Sequence, residues 1–242
     1  MCPLCSNDIQ KPFKIDPHIH TAEVSHCGQL SAADVVGRYH ALGYDGIVIT
    51  DHLHEGYISS LDCKDDWDAC VKKFLQGYES AKVAGERLGL QVILGAEIRF
   101  LINDSDYLLY GIDENFLYNT PYMHRLGQKE FYKRFGEEVL IIQAHPFRHD
   151  NEILAEYLHG VEVFNGNPRH DNRNEKAMKL CCGYPNMYPF YGSDTHRNGD
   201  EGRAGMLFNE VITNSRELRN AVLSRNFSTF PKELREWVEE SQ

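Results

Sequence analysis

The chain has 242 residues, a formal net charge of −11 and a hydrophobic fraction of 42%, the composition of a folded α/β protein rather than a disordered one. The acidity argues against a sequence-independent grip on nucleic-acid backbones, which relies on Lys and Arg. No apolar run approaches the ~20 residues that span a bilayer, and without a basic leader before an apolar core the sequence predicts a cytoplasmic protein.

The seven cysteines read as mostly reduced thiols in such a setting. Cys2-x-x-Cys5 would be half of a structural zinc site, but no second Cys-x-x-Cys completes it, so residues 1–12 read as an N-terminal segment. The net charge does not forbid an anionic substrate, because bound cations reverse the potential of a cleft locally.

In chain order, Phe13-Lys14-Ile15 opens an extended stretch that leads into Asp16-Pro17-His18-Ile19-His20. Ser31 is an N-cap with Asp34 three residues on, and the helix runs through Val35, Val36, Tyr39 and Leu42 to a stop at Gly43. A strand at 46–50 ends in Asp51-His52. A helix over 65–88 follows, with Trp67, Val71, Phe74, Leu75, Tyr78, Ala81 and Val83 as its buried positions. Strands at 91–99 and 107–112 come next, the first carrying Glu97. Residues 113–129 read as a loop whose Phe116, Tyr118, Tyr122 and Met123 would cover a substrate ring or pack as a lid or core. A short helix at 131–135 precedes a strand at 139–143 that leads to His145. A helix at 151–158, a strand at 161–164, a helix at 174–182 and a strand at 190–192 bring the chain to Asp194-Thr195-His196. A strand at 207–211 and a helix at 215–223 end the pattern.

Strands alternating with helices indicate a mostly parallel sheet. Metal-type residues after several strands suit a barrel, because closure points all those ends at one mouth. There is no Gly-x-Gly-x-x-Gly or Walker-type loop. Any one of these histidines alone reads as readily as a hydrogen-bonded loop residue. Jointly, five clusters in the same strand-end context read as one metal site, since imidazole and carboxylate are the ligands of zinc, manganese and iron.

Asp-x-His-x-His, Thr-Asp-His, Gly-x-Glu, Ala-His-Pro and Gly-Ser-Asp-x-His, in this order, resemble the PHP (polymerase and histidinol phosphatase) family, over about residues 15–205. The resemblance implies a distorted (β/α)7 TIM-like barrel over 1–242, with two or three divalent metal ions at the strand ends. It implies that His18, His20, Glu97 and Asp194 hold one ion, that Glu97 bridges to a second held also by His145, and that His26, His52 and His196 hold a third. Asn165 falls at or near a metal-facing position. His26 stands where many members have Asp, and Pro17 where a non-proline residue is usual.

The expected reaction is hydrolysis of a small phosphomonoester by a metal-activated hydroxide. Asp51, His52 and His196 are the candidates for the leaving-group proton. Arg203, in the late loop, and Arg148, three residues past His145, are the candidates for phosphate binding. The alternatives are phosphodiesterase or exonuclease chemistry, C–N bond hydrolysis, or a non-catalytic metal-bound module.

Overall fold

The computed structural model describes residues 11–149 and 151–231; the Cys2–Cys5 pair lies outside them. In chain order the elements are β1 (Phe13–Ile19), α1 (Ala32–Ala41), β2 (Gly46–Ile49), β3 (His52–Leu53), α2 (Glu55–Ser60), α3 (Trp67–Leu88), β4 (Gln91–Leu94), β5 (Ala96–Arg99) and β6 (Asp106–Tyr110). They continue with α4 (Glu114–Asn119), α5 (Gln128–Phe135), β7 (Leu140–Gln143), β8 (Gly160–Asn165), α6 (Asn174–Gly183), β9 (Tyr188–Gly192), β10 (Gly205–Phe208), α7 (Ser215–Leu223) and β11 (Phe227–Phe230).

Five strands form one sheet in the order β11-β10-β1-β2-β4, and six form another in the order β3-β5-β6-β7-β8-β9. Chain continuity joins them. β2 runs into β3 through Thr50 and Asp51, and β4 into β5 through Gly95, whose N–H donates to Ile49 O at 2.9 Å. A Cβ at Gly95 would meet Thr50 Cγ2 and Val48 Cγ1 at 2.9 Å, so this close approach requires glycine. On the far side Thr195, just past β9, bridges to Ile19 in parallel, with the His20 N–H donating to Thr195 O at 3.0 Å. The staves of the resulting TIM-like barrel are therefore β1, β2–β3, β4–β5, β6, β7, β8 and β9. One of them, β6, runs antiparallel to both neighbours, a departure from an all-parallel expectation.

Side-chain alternation sorts the core into layers. Ile15, Val48, Ile93, Leu108, Leu140, Ile142 and Phe190 fill the barrel interior. Ile19, Ile47 and Ile49 face outward onto Val35, Val36 and Tyr39 of α1. Ile15 and Ile19 lie four residues apart on one strand yet face opposite ways, because the pairing of β1 with β2 shifts register between Asp16 and Ile19. The bulge falls around Pro17, which has no N–H to lose from the ladder, and its carbonyl accepts from Tyr110 Oη at 2.9 Å. After the shift His18 and His20 share the inner face.

Local chemistry sets the helices. Ser31 caps α1 by accepting from Asp34 N, and Asp66 caps α3 by accepting from Ala69 N. Gly89 ends α3 at φ 73°. Most of the expected buried face of α3 is buried, but Val83 is 51% exposed.

Three segments differ from the sequence expectation. Residues 113–129 contain α4, capped by Asp113, whose side chain accepts from Phe116 N. Its aromatic residues pack away from the strand-end mouth: Phe116 against Phe135, and Tyr122 against Trp67. The helix expected at 151–158 is only a 3-10 turn at Ala155–Tyr157. There Gln128 Nε2 donates to Leu154 O and Tyr157 O, and Gln143 Nε2 to Glu152 O, so side chains claim carbonyls that a helix would need. The strand expected at 207–211 is β10, which pairs antiparallel with both β1 and β11.

Candidate metal centre

The strand ends converge. His18 and His20 come from β1 and the residue after it, His52 from β3, Glu97 from β5, His145 from just past β7, and Asp194 and His196 from just past β9. Four overlapping groups have ligand atoms within 4.8 Å of one another: His18, His20 and Glu97; His18, His145 and Asp194; Glu97, Asp106 and His145; and His20, His52 and His196. The Nε2 atoms of His18 and His20 are 3.1 Å apart. Glu97 lies between the histidines, with Oε1 at 3.1 Å from His145 Nε2 and Oε2 at 2.9 Å from His52 Nδ1. Asp194 Oδ1 lies 3.5 Å from the Nε2 atoms of both His18 and His20.

Two of these residues have strained backbones, His145 at φ 28° and Asp194 at φ 53°, a conformation that non-glycine residues hold only when neighbours enforce it. The His145 N–H donates to Glu162 Oε2 at 2.9 Å. Asn167 Nδ2 donates to the Asp194 carbonyl at 2.9 Å.

The carboxylates and imidazoles of the cluster set one another's charge. Burial pushes the Glu97 carboxyl up, but His18 and His52 hold it well below the usual range. Asp194 is treated likewise, with His18 and Arg148 overcoming the burial. Burial opposes a charge on His18, yet Glu162, Asp194 and Glu97 carry its pKa well above the ordinary histidine value. His20, by contrast, is pushed well below it by burial and by His196 and His52.

The residues fit divalent cations by composition and by an orphaned atom. Glu97 is 1% exposed, and its Oε2 accepts no hydrogen bond despite the imidazoles around it. A buried, unsatisfied carboxylate oxygen is costly, and a cation shared with those imidazoles would satisfy it.

Not every sequence candidate joins the cluster. His26 is exposed, its ring lies against Tyr57, and it belongs to none of the four groups. Asp51 lies behind the mouth: Oδ1 accepts from Thr21 N and Ser25 Oγ, and Oδ2 from Thr21 Oγ1, each at 2.7 Å. Its carboxylate braces the loop after β1 and is not among the residues that line the mouth. Arg203 is exposed and donates from Nε to Gly199 O at 2.9 Å, turned from the mouth. Arg148 does enter the mouth, where Nη2 donates to Asp194 Oδ2 at 2.6 Å and to Asn165 Oδ1 at 3.1 Å. Asn165 is 2% exposed and spans Glu162 Oε2 at 2.8 Å and Asp194 Oδ2 at 3.2 Å.

The sequence reading missed four contributors. Glu162, on β8, accepts from His18 Nδ1 at 2.8 Å; a carboxylate inside the apolar run Val161-Glu162-Val163 was its signal. Asp106 enters from the beginning of the reversed β6, where no strand-end pattern points. Cys27 lines the mouth beside His52 and His196, as does Arg169. The mouth is a cavity of about 410 Å³ whose wall also carries Arg99, Arg148, Arg197, His149 and His170.

Three solved structures share this fold. One is a two-domain protein from Bacteroides vulgatus containing a predicted PHP-like metal-dependent phosphoesterase, with 20% identity and TM-score 0.64 over 95% of this chain and 69% of that one. Another is a provisionally assigned metal-dependent phosphoesterase from Bifidobacterium adolescentis, with 18% identity and TM-score 0.52 over 90% and 98%. The third is an amidohydrolase from Chromobacterium violaceum with bound sulfate and no metal, with 14% identity and TM-score 0.50 over 88% and 97%. No curated protein matches the sequence. The PHP domain model matches residues 16–173, a span that holds most of the strand-end groups described above, and the chain belongs to the PHP domain family.

Proposed function

We propose that this protein is a metal-dependent phosphoesterase that hydrolyses a small phosphomonoester in a centre of two or three divalent cations. The observation that carries the reading is Glu97, a buried carboxylate with an unsatisfied oxygen, set among His18, His20, His52 and His145. On this reading His18, His20, Glu97, His145, Asp194, His52 and His196 hold the cations. Bound there, zinc, manganese or iron would supply the Lewis acidity that lowers the pKa of a water and offsets charge on the phosphoryl oxygens.

The chain's own residues do the rest. Arg148 is fixed by Asn172 Oδ1 at 2.9 Å as well as by Asn165 and Asp194, and so presents a preset guanidinium to a phosphoryl group. Arg99 and Arg169 also line the cavity wall, where Arg99 pairs with Asp106 and Arg169 with Asp200, so their charge is offset by those carboxylates. His149 and His170 line the cavity outside the ligand groups. They take the place of Asp51 as candidates to give the leaving alkoxide its proton, because ligation would occupy His52 and His196.

The cavity suits a small ester better than a polymer. The test is metal analysis of purified protein joined to a panel of phosphomonoesters and matched diesters, assayed before and after chelation. Monoester release that is lost on chelation and restored by metal supports the reading. Release from the diesters alone would favour phosphodiesterase chemistry, and amide hydrolysis alone would favour the C–N alternative.

A further inference from the structure

The connection between α2 and α3 carries two thiols in contact. Cys63 lies in the turn of residues 61–66, where its carbonyl accepts from Asp66 N at 2.8 Å. Cys70 lies at the start of α3, and its thiol donates to the same carbonyl at 3.1 Å. The two sulfurs are 3.9 Å apart. Both side chains pack in the core that holds Tyr57, Trp67 and Phe74, with Cys70 fully buried and Cys63 half-buried. A disulfide has a sulfur–sulfur bond of about 2.05 Å, so closure asks for an approach of just under about 2 Å. Cys63 stands on a turn outside the helix, and rotation of its side chain with a small shift of that turn supplies the movement. Cys70 is the fixed partner, its N–H bonded to Asp66 O at 3.0 Å.

We propose that Cys63 and Cys70 form a reversible disulfide when the protein meets a peroxide, and that this bridge stiffens the wall that α2 gives to the cavity beside the mouth.

The half-buried Cys63 meets the oxidant first. Its thiolate attacks hydrogen peroxide, the O–O bond breaks, and a sulfenic acid forms while the released hydroxide takes up the thiol proton as water. The Cys70 sulfur then attacks the sulfenic sulfur. The S–S bond forms, the S–O bond breaks, and the departing hydroxide takes the Cys70 proton as a second water. Two thiols are oxidised and one peroxide is reduced. A small thiol reductant reverses the bridge by exchange. Burial and the neighbouring Cys63 push the Cys70 thiol up to about 11, which suits it to the resolving role rather than to direct attack on peroxide.

The turn that carries Cys63 continues directly from α2. Leu61 N donates to Ile58 O at 3.1 Å, and Lys64 N to Leu61 O at 3.3 Å. Gly56 and Tyr57 of α2 line, with His54, a cavity of about 330 Å³ that shares Cys27, His52 and Arg99 with the mouth. A bridge from Cys63 to α3 therefore restrains the segment that walls this cavity.

The test treats the reduced full chain with hydrogen peroxide and follows its tryptic peptides by mass spectrometry. Cleavage after Lys64 puts the two cysteines on separate peptides, so the bridge shows as a linked pair that dithiothreitol separates. The expected result is the linked pair, with amide hydrogen exchange across residues 55–66 slowed at least about threefold in the oxidised chain. Cys63→Ser should give no linked pair and leave the buried Cys70 unmodified. Cys70→Ala should stop at the Cys63 sulfenic acid, which dimedone captures. Peroxide that modifies the exposed Cys182 without linking Cys63 to Cys70 overturns the proposal. A linked pair with unchanged exchange across 55–66 overturns the stiffening of the cavity wall. Neither readout depends on bound metal or on turnover, so failure here is distinct from failure of the phosphoesterase reading.

Discussion

Glu162 and His18 are joined by a 2.8 Å hydrogen bond between Oε1 and Nδ1, and the other oxygen of the same carboxylate accepts from the His145 backbone at 2.9 Å. One side chain in the middle of β8 thus fixes the ring of one candidate ligand and the strained backbone of another. Holding the proton on His18 Nδ1 leaves Nε2 free to face Glu97 and Asp194, as a ligand nitrogen must. Glu162→Gln is expected to weaken metal binding by about 10- to 100-fold. Titration with a competing chelator measures this, and wild-type affinity would refute the role.

Glu97→Gln removes the charge that the centre is built around. The variant is expected to lose at least one equivalent of bound metal and nearly all turnover, while its circular dichroism stays that of the folded chain. Metal content by mass spectrometry, measured alongside activity, checks both halves. Wild-type metal content would show that Glu97 is not a ligand.

Arg148→Met leaves the barrel intact and removes the preset guanidinium. A lost charge-assisted hydrogen bond corresponds to about 1.5–3 kcal/mol, so kcat/KM for the best monoester should fall by roughly 10- to 100-fold. Arg203→Met should change it little, since that side chain is turned to Gly199. Equal losses in the two variants would contradict this placement.

Gly77→Ala should destabilise although alanine favours helices. Gly77 lies inside α3, and a Cβ there would collide with Thr21 Oγ1 and Asp51 Oδ2, the pair that braces the loop after β1. Overpacking of this kind costs about 1–3 kcal/mol, more than the helix gain of roughly 0.5–1 kcal/mol. Chemical denaturation of the metal-free chain reads the difference, and a stabilised variant would show that the packing is looser.

His159 ties stability to pH away from the centre. Its Nδ1 accepts from Ile141 N at 3.1 Å, and burial lowers its pKa from 6.5 to about 4. Between those values the unfolded chain binds the proton and the folded chain does not. The contribution is therefore fully present above pH 6.5 and is lost as pH falls towards 4. The denaturation midpoint of the wild type should fall towards that of His159→Gln over this window. A constant gap between them would refute the assignment.

The barrel and the histidines at its strand ends were legible because each sits after an apolar run of strand length, and such runs end at one mouth. What the sequence hid has particular causes. His26 and Cys27 are neighbours and both exposed, and only the fold of the loop after β1 sets Cys27 on the wall of the mouth and His26 against Tyr57. Asp106 comes from a reversed stave, so it precedes its strand rather than following it. The 151–158 segment has helical spacing, but Gln128 and Gln143, distant in sequence, claim its carbonyls. Arg203 reads ahead of Arg148 as a phosphate binder in the sequence, and Asn165, Asn172 and Asp194 reverse that order by holding Arg148 in the mouth.

The bulge at Pro17 has a consequence for how the molecule tolerates change. Pairing all of residues 15–20 without the bulge would impose strict alternation from Ile15 onward and swing both imidazoles of the first pair out among the helices, with Ile19 forced into the mouth. Register, more than composition, is what β1 cannot vary: a flattened ladder of the same length would exchange the inside of the barrel for its outside, whereas losing the one extra residue would remove bulge and offset together and keep both imidazoles inward.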